Sequence, residues 1–550
     1  MPKKPNISGY FKGSFLFDLK AGFITAVVAL PLAIAFAIAS GLPPVMGMYT
    51  AILAGIIGSL FGGSKFSITG PTGAMTVIIL SIVHNFGLEM LLFAGLLAGI
   101  MQLALGYFKF GRAVQFIPLP IISGFTAGIG VIIFIGQIPN ALGLVIPPKE
   151  TAVDTLVALS EHLGAINLVA LGMTFGTVII LFFLPKLTKK NNFLRNIPAS
   201  LFGLVVFTSL AYFFALQVPQ VGDIPSGIPL PVLPKIDFSK TVDLLPSAFT
   251  IALLGSIEAL LCAVVLDGMS GTRHDSDKEL MGQGLANIVM PFFGAMPATA
   301  AVARSAINFR EGAKTRFAGV IHALILLLIL LFFSPIAGFI PKAFLAGILM
   351  FVSVRMVNVK EFRTIVEISR AEGIVLFATF GLTVFTNLVF AVQAGMLFAL
   401  VLLFVRLTNA SDIKYMEEYD NRDRVFSEMI SSSQRLRDSV GLYIIHGPFF
   451  FGALNVFESR LNRHMQIQKP IIVLGMEHVP FIDTSGVVRL NAFIKERHKA
   501  GGKVVLLELN PEVKKRLFKN EEFKKIMSKD LIFDDIQSAL KFIDEKLIPN

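Results

Sequence analysis

The chain has 550 residues, of which 54% are apolar and only 15% are charged, and its formal net charge is +11. This charged fraction and a mean hydropathy of +0.73 exclude an ordinary soluble domain, in which about 25% of residues are charged. The single cysteine, Cys262, excludes a disulfide framework and any zinc or iron–sulfur site built from cysteines.

Long, unalternating apolar runs predict membrane-spanning helices, because only helices and closed barrels satisfy their backbone groups within lipid. The first run, at 21–39, resembles a signal peptide, with Ala37-Ile-Ala39 as a cleavage site. It is long for that role, contains Pro31 and is followed at once by further spans, so we expect a retained helix. At roughly 20 residues per span, we predict about fourteen spans, near 20–40, 45–61, 71–84, 88–107, 117–138, 165–184, 197–216, 247–267, 281–296, 299–309, 317–335, 340–355, 371–387 and 390–408.

The loops between these spans differ in charge. With the N-terminus inside, the cytoplasmic loops hold sixteen Lys and Arg residues, and the outer loops hold only Lys149, Lys235, Lys240 and Lys342. This asymmetry follows the positive-inside rule and predicts that both termini are cytoplasmic. It also accounts for the basic net charge without a nucleic-acid partner.

Charge is concentrated at the C-terminal end of the chain. Of the charged residues, 42 lie in the last 141 positions. We therefore predict a membrane domain over 1–409, a linker over 410–439 and a soluble cytoplasmic domain over 440–550.

Two predicted spans are short and begin in a run of small and hydroxyl residues that contains a proline. Span three opens at 67–76 around Pro71, and span ten opens at 296–305 around Pro297. Each is third in its half of seven spans, and because seven is odd the halves must be inverted. Paired, interrupted spans at matching positions indicate a binding site at the membrane midplane.

A helix that begins within the membrane has unpaired N–H groups and a positive dipole end that faces a cavity. Two such ends that face each other would bind an anion without a full buried charge, and proline suits the first position of such a helix. The alternative is that Pro71 and Pro297 only kink ordinary helices. Their matched positions favour the binding site.

Three ionisable residues lie deep in apolar sequence, where each costs about 2.5–3.5 kcal/mol on insertion scales. Glu258 is in mid-span and suits a proton carrier, the alternative being a neutral packing residue. Asp267 is nearer a span end and is expected to act there. Arg304, about two turns into span ten, is expected to close the anion site, the alternative being a snorkelling interfacial arginine. His84 and His322 flank span ends and are expected to be interfacial.

Several motifs, in order along the chain, closely resemble the sulfate permease (SulP) family of anion transporters. The resemblance extends over essentially the whole sequence, and within the family it is greatest to bacterial members linked to C4-dicarboxylate uptake. The matching segments are 42–49, 69–73, 255–274, 279–287 and 297–305.

The resemblance implies a seven-plus-seven inverted repeat, divided into a mobile core domain and a gate domain, and no cofactor. It implies that substrate binds between the facing starts of spans three and ten, with a contribution from span one. The residues that it assigns to the substrate are the aromatic Phe36, Thr72 of span three, the backbone positions Ala301, Val302 and Ala303, and the buried basic residue Arg304.

The chain departs from one branch of that family. The sodium-dependent bicarbonate branch is associated with an aspartate and hydroxyl side chains around its cation, and the corresponding positions here are Glu258, Cys262, Ala300 and Val302. Sodium prefers hard oxygen ligands. Sodium coupling and a metal site are therefore disfavoured, and Glu258 becomes the proton-coupling candidate.

The C-terminal domain alternates strand and helix patterns. We predict strands at 440–446, 470–474 and 503–509 and helices at 453–465, 484–499 and 511–520. The motif at 481–486 opens a helix, so Asp483 or Thr484 is expected to cap it. The domain resembles a STAS domain, and Ser485 matches the serine that is phosphorylated in soluble relatives. The alternative, which we favour, is an unmodified strand-to-helix turn.

Together these features predict a secondary active transporter of sulfate or a C4-dicarboxylate in a bacterial plasma membrane. We expect proton symport by alternating access, a homodimer in membrane lipid, and the small anion and the proton as partners. A bicarbonate transporter, an anion exchanger and an anion channel of the same fold are alternatives. The sequence shows no metal cluster, nucleophile–base set or phosphate loop that would favour an enzyme, and its many spans disfavour a phosphorelay sensor.

Overall fold

The computed structural model describes residues 13–111, 118–149, 151–188, 198–227, 231, 233–234, 237–386, 388–409, 412–415, 433–451 and 469–548. The chain divides into two compact units, Met1–Leu397 and Phe398–Asn550. The predicted domain boundaries at 409 and 439 stay predictions. The predicted helix at 453–465, most of the linker and Lys235 lie outside the described residues.

The first half of the helical unit contains, among its described residues, eight α-helices and one two-residue strand. Pro44 opens the second helix, where its missing N–H costs nothing, and Gly87, at φ +83°, ends the third. The bounds are α1 Phe15–Ala39, α2 Pro44–Phe61, β1 Thr69–Gly70, α3 Gly73–Phe86, α4 Leu88–Tyr107, α5 Leu119–Ala141, α6 Ala152–Ser160, α7 Leu168–Leu187 and α8 Ala199–Phe213.

The second half repeats this order of elements. It also has two helices, then a two-residue strand that leads into a short helix, and then five more helices. The bounds are α9 Thr241–Ser270, α10 Ser276–Val289, β2 Thr299–Ala300, α11 Val302–Arg310, α12 Phe317–Ala337, α13 Lys342–Met356, α14 Val359–Ile368, α15 Arg370–Phe385 and α16 Leu388–Asn409.

The packing of the helices confirms the predicted inverted repeat. The helix α4 of the first half packs on α9 and α10 of the second, and its counterpart α12 packs on α1 and α2 of the first. Such exchange is expected of repeats related by a two-fold axis in the membrane plane. Among the described residues, eight segments are long and apolar enough to cross a membrane, and three apolar helices are shorter.

The helices form two groups by contact. The first helical group consists of α1–α4 and α9–α12, and the second helical group consists of α5–α8 and α13–α15. Small residues allow backbones to approach closely within each group. In the first, a Cβ on Gly284 would lie 2.5 Å from the Leu103 nitrogen, and in the second a Cβ on Gly124 would lie 2.5 Å from the Leu376 oxygen.

Two details of the predicted spans are wrong. Pro71 and Pro297 do not open helices, because α3 begins at Gly73 and α11 at Val302. Pro71 directly follows β1, and Pro297 lies two residues before β2. Proline fits this extended backbone because it lacks an N–H and fixes φ near −65°. The predicted span at 281–296 is α10 followed by a 3₁₀ turn, Met290–Phe293, because a proline, Pro291, interrupts the helix.

Within its described residues, the C-terminal unit contains a five-stranded sheet in the order β3-β4-β5-β6-β7, with β3 antiparallel to β4 and the other pairs parallel. Apolar residues of β4, β5 and β6 and of the helices form its core. The strand β3 lies in the predicted linker and was not anticipated. The bounds are β3 Asp412–Tyr415, α17 Gln434–Ser439, β4 Val440–His446, β5 Ile471–Gly475, α18 Thr484–Lys499, β6 Lys503–Leu507, α19 Pro511–Leu517, α20 Glu521–Ile526, β7 Ile532–Phe533 and α21 Ile536–Phe542.

Candidate functional site

The two interrupted segments meet inside the first helical group. Their strands β1 and β2 pair antiparallel, with Thr69 opposite Ala300 and Gly70 opposite Thr299. Each strand leads within three residues into a helix, α3 or α11. The first N–H groups of both helices have no acceptor within their own helix, so two positive dipole ends lie close together at the centre of the bundle.

Buried hydrogen bonds hold this crossing in place. The backbone nitrogen of Ala301 donates to the Ile68 oxygen at 3.0 Å, and that of Ile68 donates to the Ser305 hydroxyl at 2.8 Å. The Thr299 hydroxyl donates to the Gly255 oxygen of α9 at 2.7 Å. Each broken segment is therefore tied both to its counterpart and to a neighbouring helix.

Polar side chains from α10 support the two strands from outside. Gln283 donates to the Thr69 hydroxyl at 2.9 Å. Asn287 donates to the Ala298 oxygen and accepts from the Ala298 nitrogen, and it also donates to Gln102 of α4 at 2.7 Å. These residues were not predicted from the sequence, although polar side chains within apolar spans are the signal that could have found them.

Arg304 bridges the two segments. It is the third residue of α11, not two turns into a span, because that helix begins only at Val302. The side chain is 2% exposed, and its Nη2 donates to the Pro71 oxygen at 2.7 Å. Its Nη1 is buried with no hydrogen-bond partner among the described residues. The guanidinium therefore adds a full positive charge, with a free donor, between the helix ends.

Space for the guanidinium is made by Gly70 of β1. A Cβ on Gly70 would lie 2.9 Å from Arg304 Nη1 and 3.2 Å from Nη2. A side chain at this position would displace the cation. The glycine is thus part of the site, although the sequence analysis did not single it out.

Glu258 lies beside the start of α3. Its Oε2 accepts a hydrogen bond of 2.9 Å from the Thr72 hydroxyl. Thr72 is the N-cap residue of α3, but its side chain does not cap that helix. The structure thus joins the predicted proton-coupling residue to a predicted substrate residue, and Arg304 interacts with the same carboxyl group electrostatically.

Phe36 of α1 is buried at the same place. A Cβ on Gly73, the first residue of α3, would lie 3.5 Å from Phe36 Cε1, 3.0 Å from Ile133 Cδ1 and 3.6 Å from Met356 Sδ. Ile133 and Met356 belong to the second helical group, and no sequence signal separates them from other apolar residues of their spans. The start of α3 therefore faces both helical groups.

The start of α11 is more open than that of α3. Val302 is 41% exposed and Ala303 is also exposed, whereas Ala301 is half-buried. The first turn of α11 is therefore not fully covered by other described residues, although Arg304 in the same turn is buried.

Three of the four positions compared with a sodium site, Cys262, Ala300 and Val302, carry no oxygen in their side chains. Cys262 donates its thiol hydrogen to the Ser305 hydroxyl, with 3.3 Å between sulfur and oxygen. Ala300 lies in β2 and Val302 carries no polar group. Across the part of the chain that the structure describes, no three His, Cys, Asp or Glu residues form a metal-binding cluster.

Asp267 and His322, two further ionisable residues of the helical unit, have different surroundings. Asp267 lies at the C-terminal end of α9, where its carboxylate accepts from the His274 nitrogen and ring at 2.9 and 2.7 Å. His322 is fully buried within α12, so its side chain is enclosed by the bundle, and the prediction that it is interfacial stays a prediction. It is buried because α12 packs against α1 and α2 at this level, as Gly22 and Gly55 lie against it.

A cavity of about 360 Å³ lies between the two helical groups, at the end of the unit where α1 ends. Its lining includes Thr76 of α3, Gln137 of α5 and two cations, Lys149 and Lys342. Thr76 is one helical turn from Thr72, so the cavity reaches within a turn of the candidate site.

In the C-terminal unit, Asp483 caps α18. Its Oδ1 accepts from the Gly486 nitrogen at 2.7 Å, which resolves the choice between Asp483 and Thr484. Ser485 is the second residue of this helix and is half-buried. The segment is therefore a capped strand-to-helix turn.

Sequence comparisons point to one family. Residues 15–379 match the sequence profile of the Sulfate permease family, and residues 433–539 match that of the STAS domain. The protein named "Putative sulfate transporter YvdB" of Bacillus subtilis is 39% identical over 537 residues, which cover 96% of this chain and 98% of YvdB. The bicarbonate transporter BicA of Picosynechococcus is 31% identical over 92% of this chain and 91% of BicA.

Solved structures agree with the fold. The structure of SLC26A9 matches with a TM-score of 0.85 over 97% of this chain and 90% of that chain, at 19% identity. The transmembrane domain of BicA from a cyanobacterium matches with a TM-score of 0.63 over 69% of this chain and 97% of that chain, at 33% identity.

Proposed function

Because the chain belongs to the sulfate permease family of anion transporters and is not an enzyme, we propose that it is a proton-coupled symporter of a divalent oxyanion, either sulfate or a C4-dicarboxylate. The observation that carries the proposal is the 2.9 Å hydrogen bond from the Thr72 hydroxyl to Glu258 at the start of α3. It connects a group that can hold a proton to the dipole end that would hold the anion.

Proton binding and anion binding support each other in this arrangement. When Glu258 is ionised, it accepts the Thr72 hydrogen and repels an anion at the helix ends. When Glu258 is protonated, the repulsion is removed and the hydroxyl is free to donate to the anion. The solute and the proton thus bind as a pair.

The charge of the site favours a dianion. Arg304 contributes one positive charge, and each helix N-terminus contributes about half a charge. With Glu258 protonated, about two positive charges face the solute, whereas only about one remains when Glu258 is ionised. A sulfate or a dicarboxylate dianion therefore matches the protonated site.

Bicarbonate transport is the second candidate, because BicA is a relative of this chain. A monovalent anion would match the site with Glu258 ionised. Sodium coupling is disfavoured in this case too, since Cys262, Ala300 and Val302 offer no hydroxyl oxygen. Anion exchange and channel conduction are alternatives that transport measurements distinguish.

Alternating access would be a movement of the first helical group against the second. The site belongs to the first group, while Ile133 and Met356 of the second group cover the start of α3. The cavity that reaches Thr76 supplies a route from one side of the membrane. Movement at this contact would open or close the route.

The charge of the loops supports a plasma-membrane orientation with both termini in the cytoplasm. The cavity with Lys149 and Lys342 would then face outward and attract anions. We propose a homodimer in the membrane, and no phosphorylation of Ser485.

Uptake of radiolabelled sulfate into proteoliposomes tests the proposal. An inward proton gradient should drive accumulation, and a C4-dicarboxylate should compete, whereas bicarbonate should not. The variant Glu258→Gln should lose stimulation by the gradient. Glu311→Gln, which alters an ion pair with Lys20 at the end of α11, is the matched control.

Full gradient-driven uptake by Glu258→Gln would contradict the role of this residue. Uptake that requires a counter-anion inside would indicate exchange. A chloride current much faster than carrier turnover would indicate a channel.

A further inference from the structure

A groove of about 540 Å³ runs along the second helical group, between α5, α7 and α13. It is separate from the candidate anion site. Its lining is apolar except for Thr174 and Arg355, and it includes the aromatic side chains of Phe175, Phe182 and Phe351. We call it the α7–α13 groove.

The one hydroxyl in the lining is already satisfied. Thr174 lies in hydrogen-bond contact with the backbone oxygens of Ala141, Ala170 and Ala343. The middle of the groove therefore offers a ligand no free hydrogen-bonding side chain. It suits a hydrocarbon chain and not a polar solute.

Two cations lie at a similar level along the two helices that border the groove. The register of α7 and α13 is parallel, because Thr174 contacts Ala343 and a Cβ on Gly347 would lie 2.8 Å from Thr177 Cβ. Lys186 and Arg355 follow the contacting pair by twelve residues each, so both helices bring a cation to the same level.

These cations are exposed and lie over aromatic rings. Lys186 Nζ is 3.6 Å from the centroid of the Phe182 ring, and Arg355 Cζ is 4.2 Å from that of Phe351. Neither is in an ion pair with any residue that the structure describes. Two cations, with no acidic partner among the described residues, thus border the apolar α7–α13 groove.

We propose that the α7–α13 groove binds an anionic phospholipid, with an acyl chain along the apolar lining and the phosphate at Lys186 and Arg355. Basic pockets between transmembrane helices bind anionic headgroups in this way. A neutral lipid would leave the two cations uncompensated. An apolar helix from a second copy of the chain would fill the groove but would not require two cations that border it.

The absence of tryptophan from the sequence allows a direct test. The variant Phe351→Trp places a single tryptophan in the groove, which can be excited selectively over the tyrosines, and keeps an aromatic ring beside Arg355. The full chain is reconstituted in phosphatidylcholine vesicles that contain increasing mole fractions of brominated phosphatidylglycerol or brominated phosphatidylcholine. Brominated phosphatidylglycerol should quench the fluorescence at a lower mole fraction.

The size of the preference follows from the two cations. Each cation near an anionic surface raises relative affinity about fivefold, so Lys186→Gln or Arg355→Gln should lower the preference by about that factor. Arg363→Gln removes an exposed cation that pairs with Glu367 and should leave the preference unchanged. Val178→Phe, which narrows the groove, should reduce quenching by both lipids.

Equal quenching by the two lipids, or a preference that persists in the double variant Lys186→Gln/Arg355→Gln, would overturn the proposal. An equal loss in Arg363→Gln would also overturn it. If the tryptophan variant does not fold, the unaltered chain can be delipidated and exposed to equal amounts of both lipids. Retention of phosphatidylglycerol over phosphatidylcholine then supports the site, and equal retention refutes it.

Discussion

Replacement of Arg304 by methionine tests the charge of the anion site. Methionine keeps an unbranched apolar stem but removes the guanidinium, which is 2% exposed and has an Nη1 donor without a partner among the described residues. A hydrogen bond from a charged donor contributes about 1.5–3 kcal/mol. Since about 1.4 kcal/mol is a tenfold change, sulfate affinity should fall roughly 10- to 150-fold.

The affinity is measured on purified protein by calorimetric titration with sulfate, and the KM for uptake is measured in proteoliposomes. Arg310→Met is the matched control, because Arg310 is the exposed last residue of the same helix. Arg304→Lys keeps the charge and should recover part of the affinity. Size-exclusion profiles show which variants fold, since the lost bond to Pro71 also weakens the crossing.

An Arg304→Met protein that folds and binds sulfate with unchanged affinity would contradict the role of the guanidinium in anion binding. An equal loss of sulfate affinity in Arg304→Met and Arg310→Met would also contradict this role. The loss would then be explained by the removal of any positive charge and not by the position of Arg304.

Three further substitutions test the position of the Arg304 guanidinium, a close contact between two helices and the cap of a helix in the C-terminal unit. Gly70→Ala places a Cβ 2.9 Å from Arg304 Nη1, so the KM for sulfate should rise while the protein stays folded; an unchanged KM would show that the guanidinium position is irrelevant. Gly47→Ala places a Cβ 2.1 Å from a backbone oxygen of α1, so the melting temperature should fall markedly. The control is Gly381→Ala, which has open space around its Cβ and should change the melting temperature little. Asp483→Ala removes the cap of α18 and should cost about 0.5–2 kcal/mol, seen as faster hydrogen exchange at the start of that helix in the full chain; unchanged exchange would contradict the capping role.

The sequence was informative about the fold wherever a strong physical constraint acts on many residues. Long apolar runs and the charge of the loops predict a polytopic membrane protein because lipid penalises both exposed backbone and charge. The helix Thr484–Lys499 was predicted with its observed bounds, since Asp483 and the apolar periodicity both mark its start. The strand Asp412–Tyr415 was missed because its pairing with β4 lies far along the sequence.

The meeting of two helix starts in the candidate site could be predicted from the sequence, but the strand pairing and the close contacts around it could not. Two interrupted spans at matched positions were sufficient to place two helix starts together. Sequence could not reveal that the prolines lie near paired strands, because such pairing depends on a distant partner. Nor could it reveal the roles of Gly70, Ile133 and Met356, which come from close approach in three dimensions and not from any local pattern.

The antiparallel pairing of β1 with β2 also has a mechanical consequence. One strand comes from each half of the chain, and backbone pairing joins them next to the starts of α3 and α11. If the protein works by alternating access, as proposed, the two paired strands should move as a single piece when the site changes its opening from one side of the bilayer to the other. We expect the anion to contact the same hydrogen-bond donors when it binds on one side and when it leaves on the other. The direction of net transport is then set by the gradients and not by a difference in binding affinity between the two sides.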